Sequence, residues 1–79
     1  MKIEIYGRPA CAYCEAAKDI CDRAGLEYLY YELDKDYVIE HLFERVAFKT
    51  FPQIFVNEEH VGGYTEFTQM LTDKMGGLI

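Results

Sequence analysis

Two spacings of hydrophobic residues alternate along the chain. Ile3 and Ile5 alternate with polar neighbours between Lys2 and Tyr6, the period-two mark of a strand. Gly7-Arg8-Pro9-Ala10 breaks it. From about Ala12 to Ala24 the spacing turns helical. Cys14, Ala17, Cys21 and Ala24 share one stripe with Ile20 beside them, while Glu15, Lys18, Asp19, Asp22 and Arg23 face the other way. Gly25 stands where a glycine ends a helix. Glu27 to Leu33, rich in Tyr and Leu, predicts a second strand. Asp34 or Asp36 is placed to cap a second helix. Its apolar face is Ile39, Leu42, Phe43 and Val46, and its wet face Glu40, His41, Glu44 and Arg45. Pro52 opens a third strand, Gln53-Ile54-Phe55-Val56, where its missing N–H costs no ladder bond. Asn57-Glu58-Glu59-His60 reads as a turn, with a short return strand from Val61. After Gly62-Gly63, Thr65 is expected to cap a last helix that turns Phe67, Met70, Leu71 and Met75 inward and stops at Gly76-Gly77.

The order β-α-β-α-β-β-α predicts an α/β fold, a four-stranded mixed sheet flanked by three helices. Strands joined through helices are expected to pair in parallel, and the last two, joined by a tight turn, antiparallel. With 79 residues the chain has room for one domain, 1–79. Its composition, 51% hydrophobic and 15% aromatic, is that of a chain that folds. At this size a core alone gives about 3–5 kcal/mol of net stability, so the cysteines matter. There are three, too few for a disulfide scaffold. No apolar run approaches the ~20 residues that span a bilayer. Charges at Lys2 and Glu4 interrupt any signal-peptide core. A cytoplasmic, reducing location is therefore expected, where cysteines serve catalysis or metal binding more than structure. The net charge of −6 argues against nucleic acid, whose proteins carry a basic footprint. That excess is local. Residues 27–44 hold six acids and one base, which reads as a solvated face, and the rest of the chain nearly balances.

The chemistry centres on Cys11-Ala12-Tyr13-Cys14, set between a strand and the first turn of a helix. Cys11 falls at or near the N-cap, where backbone N–H groups lack partners and the helix carries about half a positive charge. A thiolate is stabilised there: helix N-termini and C-x-x-C motifs lower the thiol pKa from about 8.5 to roughly 3.5–7.5. Arg8 and Lys18 can add to the effect. Cys14 shares the inward stripe, where apolar burial raises a thiol pKa. The pair thus divides into an exposed nucleophile, Cys11, and a protected resolving thiol, Cys14, suited to thiol–disulfide exchange. Two plainer readings stand beside this one. The pair could be two inert buried cysteines. It could also be half of a zinc site, for which only Cys21, His41 and His60 remain as further ligands, with Cys21 ~10 Å away along the helix. Cys21 itself reads as a core thiol.

Tyr6-Gly7-Arg8 before this pair, then Thr50-Phe51-Pro52-Gln53-Ile54-Phe55-Val56, then His60-Val61-Gly62-Gly63-Tyr64-Thr65-Glu66-Phe67, resembles a short dithiol glutaredoxin of the small bacterial type. The resemblance covers essentially the whole chain and implies a thioredoxin fold. It assigns the nucleophile to Cys11 and the resolving thiol to Cys14. It implies that Tyr13 packs against glutathione and that the Phe51–Pro52 bond is cis, with the backbone beside it, from Thr50 on, pairing with the cysteinyl part of the tripeptide. It further implies that the Gly63-Tyr64-Thr65-Glu66 turn receives the γ-glutamyl carboxylate through backbone N–H groups and the Thr65 hydroxyl, as helix N-termini receive anions. Glu66 then faces the ligand's ammonium, Lys49 can meet its glycyl carboxylate, and Arg8 and Lys18 are expected to add positive charge to the glutathione site. Two residues depart from the family pattern. Ala12 replaces the proline usual in Cys-Pro-Tyr-Cys, which loosens a preorganised first turn. Phe51 replaces a smaller valine at the groove wall.

The resemblance implies a glutathione-dependent disulfide oxidoreductase. Glutathione would be its co-substrate, with NADPH and glutathione reductase behind it and no tightly bound cofactor or metal. Disulfide-containing proteins, ribonucleotide reductase among them, are the implied clients, and a monomer is expected that binds neither nucleic acid nor membrane. The alternatives are a redoxin reduced by thioredoxin reductase, and a metal- or iron–sulfur-binding module, to which the altered Cys-Ala-Tyr-Cys motif lends some weight.

Overall fold

The computed structural model describes residues 1–47 and 49–75. The elements are β1 (Ile3–Gly7), α1 (Ala12–Arg23), β2 (Tyr28–Glu32), α2 (Ile39–Phe43), β3 (Gln53–Val56), β4 (Glu59–Gly62) and α3 (Tyr64–Met75). They form the predicted mixed four-stranded sheet with three helices, in the strand order β2-β1-β3-β4.

The α1 stripe behaves as its spacing requires: Cys14, Ala17, Ile20 and Cys21 are buried. The helix ends at Ala24 and Gly25. Gly25, at φ +68°, takes the left-handed conformation that glycine adopts without strain. Its N–H bonds to Asp22 O at 3.2 Å and that of Leu26 to Cys21 O at 2.8 Å, which satisfies the last carbonyls of the helix. On this side of the sheet, α1 and α3 enclose Ile3, Ile5, Ala17, Ile20, Cys21, Ile54, Val56, Phe67 and Leu71. The opposite face carries Tyr6, Tyr31, Tyr37 and Phe55 in ring contact, with the Arg45 guanidinium 4.2 Å from the Phe55 ring centre.

Strand direction corrects one expectation. β1 and β2 are parallel and β3 and β4 antiparallel, but β3 runs antiparallel to its neighbour β1. A parallel return needs a helix that carries the chain back along the sheet. The five residues of α2 rise only ~7.5 Å, so β3 starts at the end where β2 finished. This reversal has a functional consequence. The end of β1, the start of β3 and the end of β4 lie together, because Tyr6 pairs with Gln53 and Ile54 with Gly62.

The caps also differ. Neither Asp34 nor Asp36 caps α2. Val38 precedes that helix without a side-chain bond, while the Asp36 carboxylate accepts the Glu32 N–H at 2.8 Å inside the β2–α2 turn. Val46 lies beyond the helix, though Leu42 is buried as expected. The hairpin turn is two residues, Asn57 and Glu58, both with positive φ, so Glu59 and His60 belong to β4. Thr65 is not a cap but lies inside α3. The Gly63 carbonyl accepts the Phe67 N–H at 3.0 Å, and the Glu66 carboxylate reaches back to the Gly63 N–H at 2.8 Å. Glu66 therefore does the work at this helix start, in the manner of a capping box. Phe67 and Leu71 are buried and Met70 packs on the core. The expected stop at Gly76-Gly77 lies outside the described residues. Among those residues, no helix is long and apolar enough to cross a membrane.

Candidate active site

Cys11 occupies the N-cap of α1, with extended backbone (φ −118°, ψ 106°). Its sulfur accepts the Cys14 N–H at 3.2 Å, one of the otherwise unpaired amides of the first turn. Hydrogen bonding to a thiolate and the helix dipole both favour the charged form. The two cysteines are joined as a disulfide with Cα atoms 5.2 Å apart. Cys11, expected to be exposed, is instead nearly covered, as its partner is. Cys14 is fully covered, and Cys11 is 7% exposed rather than open. Of the two residues, only Cys11 keeps any exposed surface.

A groove of about 180 Å³ lies at the same end of the sheet. Tyr13, Thr50, Phe51, Pro52, Gly63, Tyr64, Thr65 and Glu66 line it. Eight of the residues singled out from the sequence thus meet in one concavity. Tyr13 is 63% exposed and stacks obliquely on Tyr64, ring centres 5.6 Å apart. The Phe51–Pro52 peptide is cis, and Phe51 leans on Phe43 at 6.0 Å. The first amides of α3, at Tyr64, Thr65 and Glu66, have no intrahelical acceptor by construction. The Gly63 amide differs, since the Glu66 carboxylate holds it. Arg8 stands at the rim, its guanidinium 5.8 Å from the Phe51 ring centre. Lys49 is exposed one residue before Thr50.

Lys18 is the residue that the structure takes elsewhere. It pairs with Glu15 at 2.9 Å and lies over the Tyr30 ring at 4.2 Å, and it does not line the groove. Both contacts are local: Glu15 is one helical turn back and Tyr30 lies under the helix.

Two residues that support the groove were not foreseen. Gln53 is fully buried, and its amide donates to Thr50 O at 2.8 Å and Thr50 Oγ1 at 3.1 Å. Its carbonyl oxygen therefore accepts, and His60 Nε2, 2.6 Å away, is the donor. Burial holds the His60 pKa below its ordinary value. This relay fixes Thr50 from behind. The signal in the sequence was a glutamine directly after proline in an otherwise apolar strand, which needs internal partners once buried.

Cys21 takes no part in the pair. It is fully buried, and desolvation, with the charge of Asp22 adding, pushes its thiol up to about 11. A raised pKa means that folding favours the neutral thiol, so this contribution is intact below about pH 8.5 and fades as pH rises towards 11. Alkylation of the reduced protein at pH 8 is expected to label Cys21 only after denaturation. Peptide mapping checks this, and native labelling of Cys21 at the rate of Cys11 would contradict it. Among the described residues, no cluster of three or more His, Cys, Asp and Glu is placed to hold a metal.

The glutaredoxin family model matches residues 3–61. Glutaredoxin 1 of Escherichia coli strain K12 is 32% identical over 83 residues, spanning 95% of this chain and 98% of that protein. The glutaredoxin of Vibrio cholerae is 32% identical over 84 residues, spanning 96% and 97%. The solved structure of reduced Escherichia coli glutaredoxin matches with a TM-score of 0.77 at 32% identity, over 96% of this chain and 99% of that one. A buckwheat glutaredoxin–glutathione complex shares the fold at a TM-score of 0.79 and 24% identity, over 96% and 71%.

Proposed function

This chain belongs to the glutaredoxin family, and we propose that its thiol–disulfide exchange is glutathione-dependent. The exchange itself runs through the Cys11–Cys14 pair. The thiolate of Cys11 attacks a protein disulfide or a glutathione mixed disulfide, and Cys14 displaces the product. Glutathione then reopens the enzyme disulfide. NADPH and glutathione reductase regenerate the glutathione.

The observation that carries this reading is the groove. It brings the backbone of Thr50, Phe51 and Pro52 into one concavity with Gly63 and the first turn of α3, and Tyr13 lines it as well. A small peptide can pair its backbone with the first and place a carboxylate at the second. In this reading Thr65 Oγ1 and the amides of Tyr64 and Thr65 take the γ-glutamyl carboxylate, and Glu66 faces the ammonium while holding Gly63. Arg8 and Lys49 supply positive charge at the other end of the ligand. None of the acids of residues 27–44 lines this groove. The protein works in a reducing compartment such as the cytosol, as one domain and as a monomer, on protein disulfides, of which ribonucleotide reductase is the client we favour.

The test is turnover of a small mixed disulfide with NADPH. Glutathione plus glutathione reductase is expected to support it, and thioredoxin reductase alone is not. The reverse pattern would replace glutathione with thioredoxin reductase as the electron source.

A further inference from the structure

Behind the disulfide, two side chains share the space of one missing side chain. Gly7 ends β1 and is buried. A Cβ built there would collide with the Tyr30 hydroxyl, lying 2.7 Å from Tyr30 Cζ and 3.0 Å from Cys14 Sγ. Tyr30 pairs with Ile5 in the parallel β1–β2 register and packs on the core beneath α1, so its ring reaches up the sheet towards Cys14. Lys18, one turn beyond Cys14 on α1, sets its ammonium 4.2 Å from the ring centre. Glu15 holds that ammonium at 2.9 Å. The charged groups facing Tyr30 are thus Lys18 and Glu15 from α1 and Glu32 from its own strand. Burial raises the phenol pKa, so the hydroxyl keeps its proton and is a donor at neutral pH.

Opening the disulfide poses a problem at this spot. An incoming thiolate attacks Cys11 Sγ and forms a new S–S bond with it. The Cys11–Cys14 bond breaks, and its electron pair leaves on Cys14 Sγ. That sulfur is fully buried, and an uncompensated charge in apolar surroundings is costly. The first-turn amide of Cys14 points to Cys11, so it stabilises the other sulfur.

We propose that Tyr30 receives the departing Cys14 sulfur: its hydroxyl donates a hydrogen bond to the released thiolate, and the Lys18 ammonium on its ring balances the charge. The same contact serves in reverse when Cys14 attacks a mixed disulfide on Cys11. The thiolate afterwards takes a proton from the solvent, and a second thiol attacking at Cys11 completes the two-electron reduction. Tyr30 and Lys18 are positioning residues for the resolving sulfur, separate from the groove. The inference rests on thiol–disulfide exchange alone and not on the choice of glutathione.

The test uses dithiothreitol on the oxidised protein, with acid-quenched thiol trapping. Tyr30→Phe keeps the ring and its volume and removes only the donor. It is expected to slow opening of the disulfide roughly tenfold, as loss of a hydrogen bond to a charged group does. In the Cys14→Ser background, a mixed disulfide of Cys11 with 2-mercaptoethanol is opened without Cys14 leaving. There Tyr30→Phe is expected to change the rate by less than about twofold. Lys18→Met, which keeps an apolar stem, is expected to slow opening about threefold alone and not at all on top of Tyr30→Phe. An unchanged rate in Tyr30→Phe overturns the proposal. So does an equal loss in the two backgrounds, since that would mark Tyr30 as a purely structural residue.

Discussion

Replacing Cys11 by serine is expected to abolish turnover, by roughly 10³-fold or more, on every disulfide substrate. Serine keeps the N-cap bond but not the nucleophile. The Cys14 N–H and the helix dipole favour a thiolate at this position, whereas a serine hydroxyl ionises far less readily. Cys14→Ser behaves differently. It is expected to keep reduction of glutathione mixed disulfides within about threefold, because that reaction needs only attack at Cys11 and release by a second thiol. Its reduction of protein disulfides falls steeply, because the resolving step is lost. The exposure of the pair agrees with this division, 7% for Cys11 and none for Cys14. The two substrate classes, assayed side by side, check it. Turnover surviving in Cys11→Ser would move the nucleophile elsewhere.

Phe67→Ala is expected to produce the largest loss of stability. Phe67 is fully buried at the contact of α3 with the sheet, within the cluster that includes Ile3, Ile5, Ile54 and Leu71. Removing such a ring costs about 3–5 kcal/mol. A core of this size supplies about that much net stability, so the variant is expected to be largely unfolded at 25 °C. Urea denaturation followed by circular dichroism reads this directly. A loss below about 1 kcal/mol would mean that the α3 packing contributes less than its burial indicates. The effect reaches the active site as well, because α3 carries Tyr64, Thr65 and Glu66 on its first turn.

What could be read from the sequence was what depends on neighbours along the chain. The α1 stripe, the Gly25 stop and the N-cap position of Cys11 are set by spacing and by local backbone needs, and all three stand in the structure. The groove residues came from the three motifs of the family, because hydrophobic period alone does not distinguish Phe51-Pro52 or Gly62-Gly63 from an ordinary turn. What escaped was long-range. The antiparallel course of β3 depends on how short α2 is, and the apolar spacing through Val46 overstated that helix. The capping role of Glu66 depends on Gly63 standing alone between the end of β4 and the start of α3. The Gln53–His60 relay and the approach of Tyr30 to Cys14 join residues of different strands or of strand and helix, in pairs that register alone decides. Lys18 was drawn to Glu15 and Tyr30 by the same local geometry that made it look available.

A glutathione attached at Cys11 is expected to lie in the groove between Phe51-Pro52 and the start of α3. The direct measurement is the solution structure of Cys14→Ser joined to glutathione as a mixed disulfide. The tripeptide is expected on Cys11, with its cysteinyl backbone paired beside Phe51 and its γ-glutamyl carboxylate at the amides of Tyr64 and Thr65. A tripeptide tethered at Cys11 but free in solvent, or lying over Lys18 and the back of α1, would contradict it.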